Sequence, residues 1–147
     1  MVINSATFIS DIVLFIREKL RTDITDPLSS RTGKFVMTSY PKRVTEYPII
    51  TVKATGIDTL KLGMQSELSW TTVDLEIRVW AKNAKQSDTL TANVINSLRQ
   101  AQFGTDSTTD EEMFGFNLSS AVPVVEELND TTIHSKVMTF TYKNILN

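Results

Sequence analysis

The stretch VDLEIRVWAKNAKQSDTLTANVINSLRQ, residues 73 to 100, changes its hydrophobic period halfway along, so the chain must join a strand to a helix across a short break. Val73, Leu75, Ile77 and Val79 alternate with Asp74, Glu76, Arg78 and Trp80, the two-residue repeat of a strand with one buried face. After Ser87 the apolar positions become Leu90, Val94, Leu98 and Ala101, a helical stripe. The spacing predicts a strand ending near Trp80 and a helix beginning around Ser87.

At 147 residues, the chain is expected to form a single domain over 1–147, large enough to bury roughly two thirds of the surface its unfolded form exposes. Hydrophobic residues make up 41% and charged residues 22%, the proportions of an ordinary soluble protein. There are no cysteines, which excludes disulfides, thiolate metal sites and a cysteine nucleophile within this chain. The N-terminal segment MVINSATFISDIVLFIREKL has IVLFI as its longest apolar run, bounded by Asp11 and Arg17. That is shorter than a signal peptide or membrane span requires, so a soluble helix over about 6–21 and no membrane partner are expected. Ile9, Val13, Ile16 and Leu20 fall at helical spacing, and Phe8, Ile12 and Phe15 widen the stripe. Ser5 is the expected N-cap, and DITDP ends the helix. Packing on the protein's own sheet is the ordinary fate of such a face, with a partner surface as the alternative.

A polar, turn-rich loop is expected between Thr22 and Lys34. KFVMTSY reads as a short strand and PKRVTEYP as a turn. IITVKAT then reads as a strand with Ile50, Val52 and Ala54 on one face and Thr51, Lys53 and Thr55 on the other. In GIDTLKLGMQSELSW, Leu60, Leu62 and Met64 alternate with Lys61, Gly63 and Gln65, a projecting hairpin arm around 56–69 that leads into the strand at 70–80. Beyond the second helix, GTDSTTDEEMFG is an acidic loop. FNLSSAVPVVEEL and TTIHSKVMTFTYK close the chain as strands, the last with Met138, Phe140 and Tyr142 on one face and Thr139 and Thr141 on the other. The expected fold is α+β: a mixed, mostly antiparallel sheet of four to five strands with two helices packed on one face.

Enzyme chemistry is nearly absent from this pattern, and neither an activity nor a cofactor is expected. Glycines at 33, 56, 63, 104 and 115 form no phosphate-binding loop. His134 lies mid-strand, where a surface or interface role fits better than a ligand or base, and one histidine without cysteine cannot build the common zinc sites. Asp106, Asp110, Glu111 and Glu112 lack the spacing and glycine of a calcium loop, so a solvated acidic loop is the expected reading. The net charge of −2 gives no basic stripe for nucleic-acid reading. Residues 1–100 carry 13 Lys/Arg and 10 Asp/Glu, and residues 101–147 carry 2 and 7. This +3 and −5 split suits two surfaces of opposite sign in a head-to-tail ring, or else reflects one acidic loop alone.

Taken in order, the N-terminal helix, the strand YPIITVKATG opening with proline, the long loop, the strand VDLEIRVWA, the polar break NAKQSD and the helix TLTANVINSLRQ resemble the tail terminators among the tail-completion proteins of long-tailed bacteriophages. The resemblance spans roughly residues 5–143 and is one of pattern and order. It implies a virion protein of the tail or neck, assembled in the host cytoplasm, that forms a homohexameric ring at the head-proximal end of the tail. Such a ring ends tail-tube polymerisation and joins tail to head. Its implied partners are other copies of itself, the tail tube protein and a head-completion or connector protein, with DNA only as passing cargo. A head-completion or neck protein of the same particle, or a small non-viral protein-binding module, are the alternatives.

Two sets of residues follow as candidate sites. Leu60, Leu62 and Met64 on the arm either dock a tube or neighbour, or extend the sheet's core face. Asp74, Glu76, Asp110, Glu111 and Glu112 are candidates for an acidic lumen wall, the alternative being a solvent-facing sheet surface. Charge alternation along the strand at 72–78 disfavours tight binding to phosphates in either case.

Overall fold

The alternation over residues 69–81 becomes the central strand of a five-stranded sheet in the computed structural model, which describes residues 6–41, 46–64, 68–102, 117–128 and 131–146. In chain order the elements are α1 (Phe8–Asp23), β1 (Val36–Met37), β2 (Ile49–Lys61), β3 (Ser69–Ala81), α2 (Ala84–Gln102), β4 (Asn117–Leu128) and β5 (Thr131–Leu146). The strands lie in the order β1-β2-β3-β5-β4. Only the β1–β2 pair is parallel, and it spans just Val36 and Met37 opposite Ile50 and Thr51. The other pairs are antiparallel. The fold is thus α+β with a mixed, mostly antiparallel sheet. The expected KFVMTSY strand shrinks to two residues.

Both helices cover one face, α1 over β1 and β2 and α2 over β3 and β5, and they touch each other. Beneath them Val73, Leu75, Ile77 and Val79 are fully buried, joined by Val52 and Met138 and by the nearly buried Phe140 and Tyr142. Burying each large aliphatic side chain here contributes about 1.5–3 kcal/mol, which is why period-two alternation was so strong a signal. Leu90, Val94 and Leu98 of α2 complete this core.

The helices differ from expectation at their starts. Asn83 Oδ1 accepts the Gln86 backbone N–H at 2.8 Å, so α2 begins at Ala84 and Ser87 is buried inside its first turns. On α1 the predicted cap Ser5 falls outside the described residues. Thr7 occupies the cap position and donates its hydroxyl to Asp11 Oδ2 at 2.8 Å without capping the backbone. The buried stripe of α1 runs through Phe8, Ile12, Phe15, Ile16 and Leu20, whereas Ile9 and Val13 are only partly covered. Both series satisfy helical spacing, and contact with β1, β2 and α2 selected the former.

Side-chain bonds fix the helices and the long loop. Arg21 donates from Nε and Nη2 to the Val36 carbonyl at 3.0 and 2.7 Å. Ser97 donates to Asp23 Oδ2 at 2.6 Å, tying α2 to the end of α1. The Arg31 guanidinium, 4% exposed, pairs with Asp26 at 2.6 Å and also donates to the Glu46 and Pro48 carbonyls just before β2. A segment that reads as plain polar loop is therefore held by one buried cation.

Candidate functional site

The β2–β3 hairpin carries the candidate arm, and one extra residue decides which way its side chains face. Ile50, Val52 and Ala54 pair with Val79, Ile77 and Leu75 on the helix-covered face. The register then slips between Ala54 and Gly56, so Thr55 is an inserted bulge residue and Gly56 stands opposite Asp74. A side chain at 56 would bring its Cβ to 3.3 Å from Asp74 Oδ2, so glycine suits the site. Beyond the bulge, parity is inverted. Ile57 now pairs with Val73 on the helix side, and Leu60 pairs with Trp70 on the outer side.

This inversion answers which of the two expectations for the arm the geometry permits. Without the bulge, Leu60 would lie on the same face as Ile50 and Val52. With it, Leu60 faces away from the helices and stays 66% exposed. The Leu62 N–H donates to the Leu68 carbonyl at 3.0 Å, closing the arm's end, and both side chains remain exposed. Met64, beside Gly63 at φ 110, is 96% exposed. The arm thus does not extend the core; it presents apolar side chains outward. Leu68, Ile57 and Trp70 belong to the same end of the hairpin and were not singled out from sequence. Lys143 Nζ stands over the Trp70 ring at 5.7 Å.

The remainder of the outer face is polar and mixed in sign. Lys53, Arg78 and Lys143 share it with Asp58, Asp74, Glu76 and Glu126, as their register positions require. Glu76 lies 3.6 Å from both Lys53 Nζ and Arg78 Nε, and Arg78 also reaches Glu126 at 3.3 Å. Asp74 and Glu76 are therefore on one face as predicted, but half-buried rather than freely exposed, and Glu76 is locally neutralised. Asp106, Asp110, Glu111 and Glu112 lie outside the described residues. Among the described residues no group of three His, Cys, Asp or Glu is arranged to hold a metal ion. No helix among them is long and apolar enough to cross a membrane.

At the opposite end of the outer face, Trp80 is buried with Ile49 and Ile133, against partly covered Met37 and Tyr47. Its indole N–H donates to Thr51 Oγ1 at 3.1 Å, its ring meets Tyr40 with centroids 4.8 Å apart, and Arg78 stacks over it at 4.7 Å. Tyr47 shares a hydroxyl hydrogen bond with Tyr40, and burial, followed by that bond, pushes its phenol well above the ordinary tyrosine value. Trp80 alternates with the core residues and so counted as part of the polar face in sequence. The residues that cover it are Met37, Tyr40, Tyr47, Ile49 and Ile133, contacts no local pattern encodes. His134 is half-buried, opposite Ala81 and Val125, with no clustered ligand partners.

No protein-family model matches the chain, and no curated protein matches it. Among solved structures, it is similar to a chain in the virion of a native gene transfer agent particle, at 12% identity and a TM-score of 0.41, over 87% of this chain and 90% of that one. A likeness at that level carries no functional argument.

Proposed function

We propose that this chain is a structural protein of a phage-like particle, a tail terminator whose copies close into a ring, a hexamer, at the head-proximal end of the tail tube. The ring ends tube polymerisation and joins tail to head. The observation that carries this reading is the outward-facing apolar arm. A protein that holds Leu60, Leu62, Met64 and Leu68 in water at the end of a long hairpin has left them for a partner, since scattered single exposure is ordinary but four exposed apolar side chains at one hairpin end are not. The order of elements shared with tail terminators supports the same reading. The partners are further copies of the chain, the tube protein and a head-side connector.

In this ring the outer sheet face, with Asp74 and Glu76, lines the path of the DNA. Three cations and four carboxylates interleaved across it give no net positive surface to grip phosphates, so duplex passes without being held. Only side chains within about 8 Å of the duplex act at physiological salt.

Electron microscopy of the purified protein, alone and mixed with tail tubes, tests the assembly. Closed rings, or rings capping tube ends, are expected; a chain seen only as isolated copies in both samples overturns the reading. The lumen assignment is tested by Asp74→Lys with Glu76→Lys in the assembled ring. Salt-sensitive retention of duplex DNA is expected from the variant and not from the unaltered protein, and equal, negligible retention removes these carboxylates from the lumen.

A further inference from the structure

The sheet has two open edges, and their backbone phases match. β1 covers β2 only at Ile50 and Thr51, and no strand among the described residues pairs with the far side of β4. Across the hairpin the Leu62 N–H donates to the Leu68 carbonyl, one rung beyond the Lys61–Ser69 pair. Antiparallel pairs alternate between bonded and unbonded, so Gly56, Asp58 and Leu60 bond to β3, whereas Ile57, Thr59 and Lys61 turn their N–H and C=O outward. Carried through β3 and β5, the same alternation sets Val122, Val124 and Glu126 toward β5 and turns Ala121, Pro123, Val125 and Glu127 outward. Pro123, which has no N–H to give, thus falls on an outward rung, where a strand tolerates it.

At both edges the outward-turned residues carry their side chains on the helix side. Ile57 stands opposite Val73 there, and Lys136, the partner of Pro123, reaches Asp88 of α2. The two edge strands also run in opposite directions, since β2, β3, β5 and β4 are antiparallel in succession. A second copy in the same orientation therefore brings its β2 antiparallel to β4 of the first, with the helices of both on one face of a continuous sheet. Had one edge the other phase, the helices would change sides from copy to copy.

Exposed apolar side chains then select the register. Ile57 and Leu60 on β2, and Val125 and Val122 on β4, are all exposed. Within each strand the two lie three residues apart, the first on the helix side and the second on the outer face. An antiparallel register that sets Val125 opposite Ile57 also sets Val122 opposite Leu60. No like charges stand directly opposite each other in it: Asp58 meets Val124, Lys61 meets Ala121 and Gly56 meets Glu126. Pro123 falls opposite Thr59, so the join lacks a single donor. Leu128 falls opposite Ala54, short of the residues that β1 occupies.

We propose that β4 of one copy adds to the free edge of β2 of the next, residues 121–125 against 57–61. This rests on the ring reading above and names the partner of Leu60 as a second copy of the chain. Leu62, Met64 and Leu68 lie beyond the join and stay free for the tube.

Positions 60 and 122 form an unbonded pair in this register, with Cα atoms about 4.5 Å apart, within reach of a disulfide. Inside one chain they lie three strand spacings apart, about 14 Å, so a link between them joins two copies. The absence of native cysteine makes the test direct. Leu60→Cys and Val122→Cys are made separately and together, and oxidised mildly at concentrations where the unaltered protein is assembled, alone or on tail tubes. An equal mixture of the two single variants should give a dimer joined through positions 60 and 122, identified by peptide mass spectrometry. The double variant should give a ladder of linked species. Thr59→Pro, whose lost N–H points away from β3, should abolish the ladder in the double-cysteine background while circular dichroism shows the fold retained. A ladder that survives in that folded variant does not depend on strand pairing and overturns the join. An assembled ring without 60–122 links also overturns the join and leaves the ring reading standing. A 60–122 link in open chains that never close supports the join and overturns the ring. Links of 60 to 60 or of 122 to 122 alone show a symmetric pairing of like edges and overturn the proposal, and a chain that stays monomeric in every sample overturns both readings.

Discussion

The two halves of the β2–β3 hairpin have opposite fates. From Ile49 to Ala54, opposite Leu75 to Trp80, apolar side chains are covered by the helices or by the Trp80 cluster; from Gly56 to Lys61, Ile57 and Leu60 stand in water on opposite faces. The outer half carries fewer apolar residues. Cover separates the halves as well, together with a one-residue bulge at Thr55 that turns Leu60 away from the core. Apolar character marks a surface to be buried, and the partner that buries it is chosen by position.

That contrast breaks first at the core. Ile77→Ala is expected to cost about 2–5 kcal/mol by urea unfolding, because the closed packing under α1 and α2 leaves a cavity that cannot collapse fully. A loss below about 1 kcal/mol would mean that this half is no better packed than the arm. Arg31→Ala comes next, at about 1–3 kcal/mol, since the Pro48 carbonyl at the entry to β2 and the half-covered Asp26 lose their shared donor. Unchanged stability would show the entry to be held by apolar contacts alone. Trp80→Phe keeps most of the ring while leaving Thr51 Oγ1 without the indole donor, for about 0.5–1.5 kcal/mol, and sharpens the comparison by weighing the small outer cluster against the main core. Smallest of all, Leu60→Ser with Leu62→Ser should move the stability of the isolated chain by no more than about 0.5 kcal/mol, as for exposed positions generally. A cost as large as that of Ile77→Ala would assign the arm to the core after all.

Cover also explains what reading the chain alone overlooked. The aromatic group of Tyr40, Tyr47 and Trp80, and the Arg31 clamp, join residues from separate turns of a loop to strands formed later. Neither has a period, so neither is visible as a pattern. The bulge is legible only in part: Gly56 after a run of alternating residues is a place where a strand can slip, but parity beyond it depends on the pairing that β3 accepts.

The sequence by itself determined the order of elements, the α+β class, the burial of Val73, Leu75, Ile77 and Val79, and the existence of an arm rich in leucine. Those are consequences of local periodicity, which water enforces on any chain that folds by burying one face of each element. Only the tertiary structure decided that β1 runs parallel to β2, that α1 buries Phe8 and Ile12 in preference to Ile9 and Val13, and that Leu60 faces away from the core. Each of those outcomes selects between alternatives that satisfy the same local spacing equally, and the selection is made by which distant surface is there to pack against.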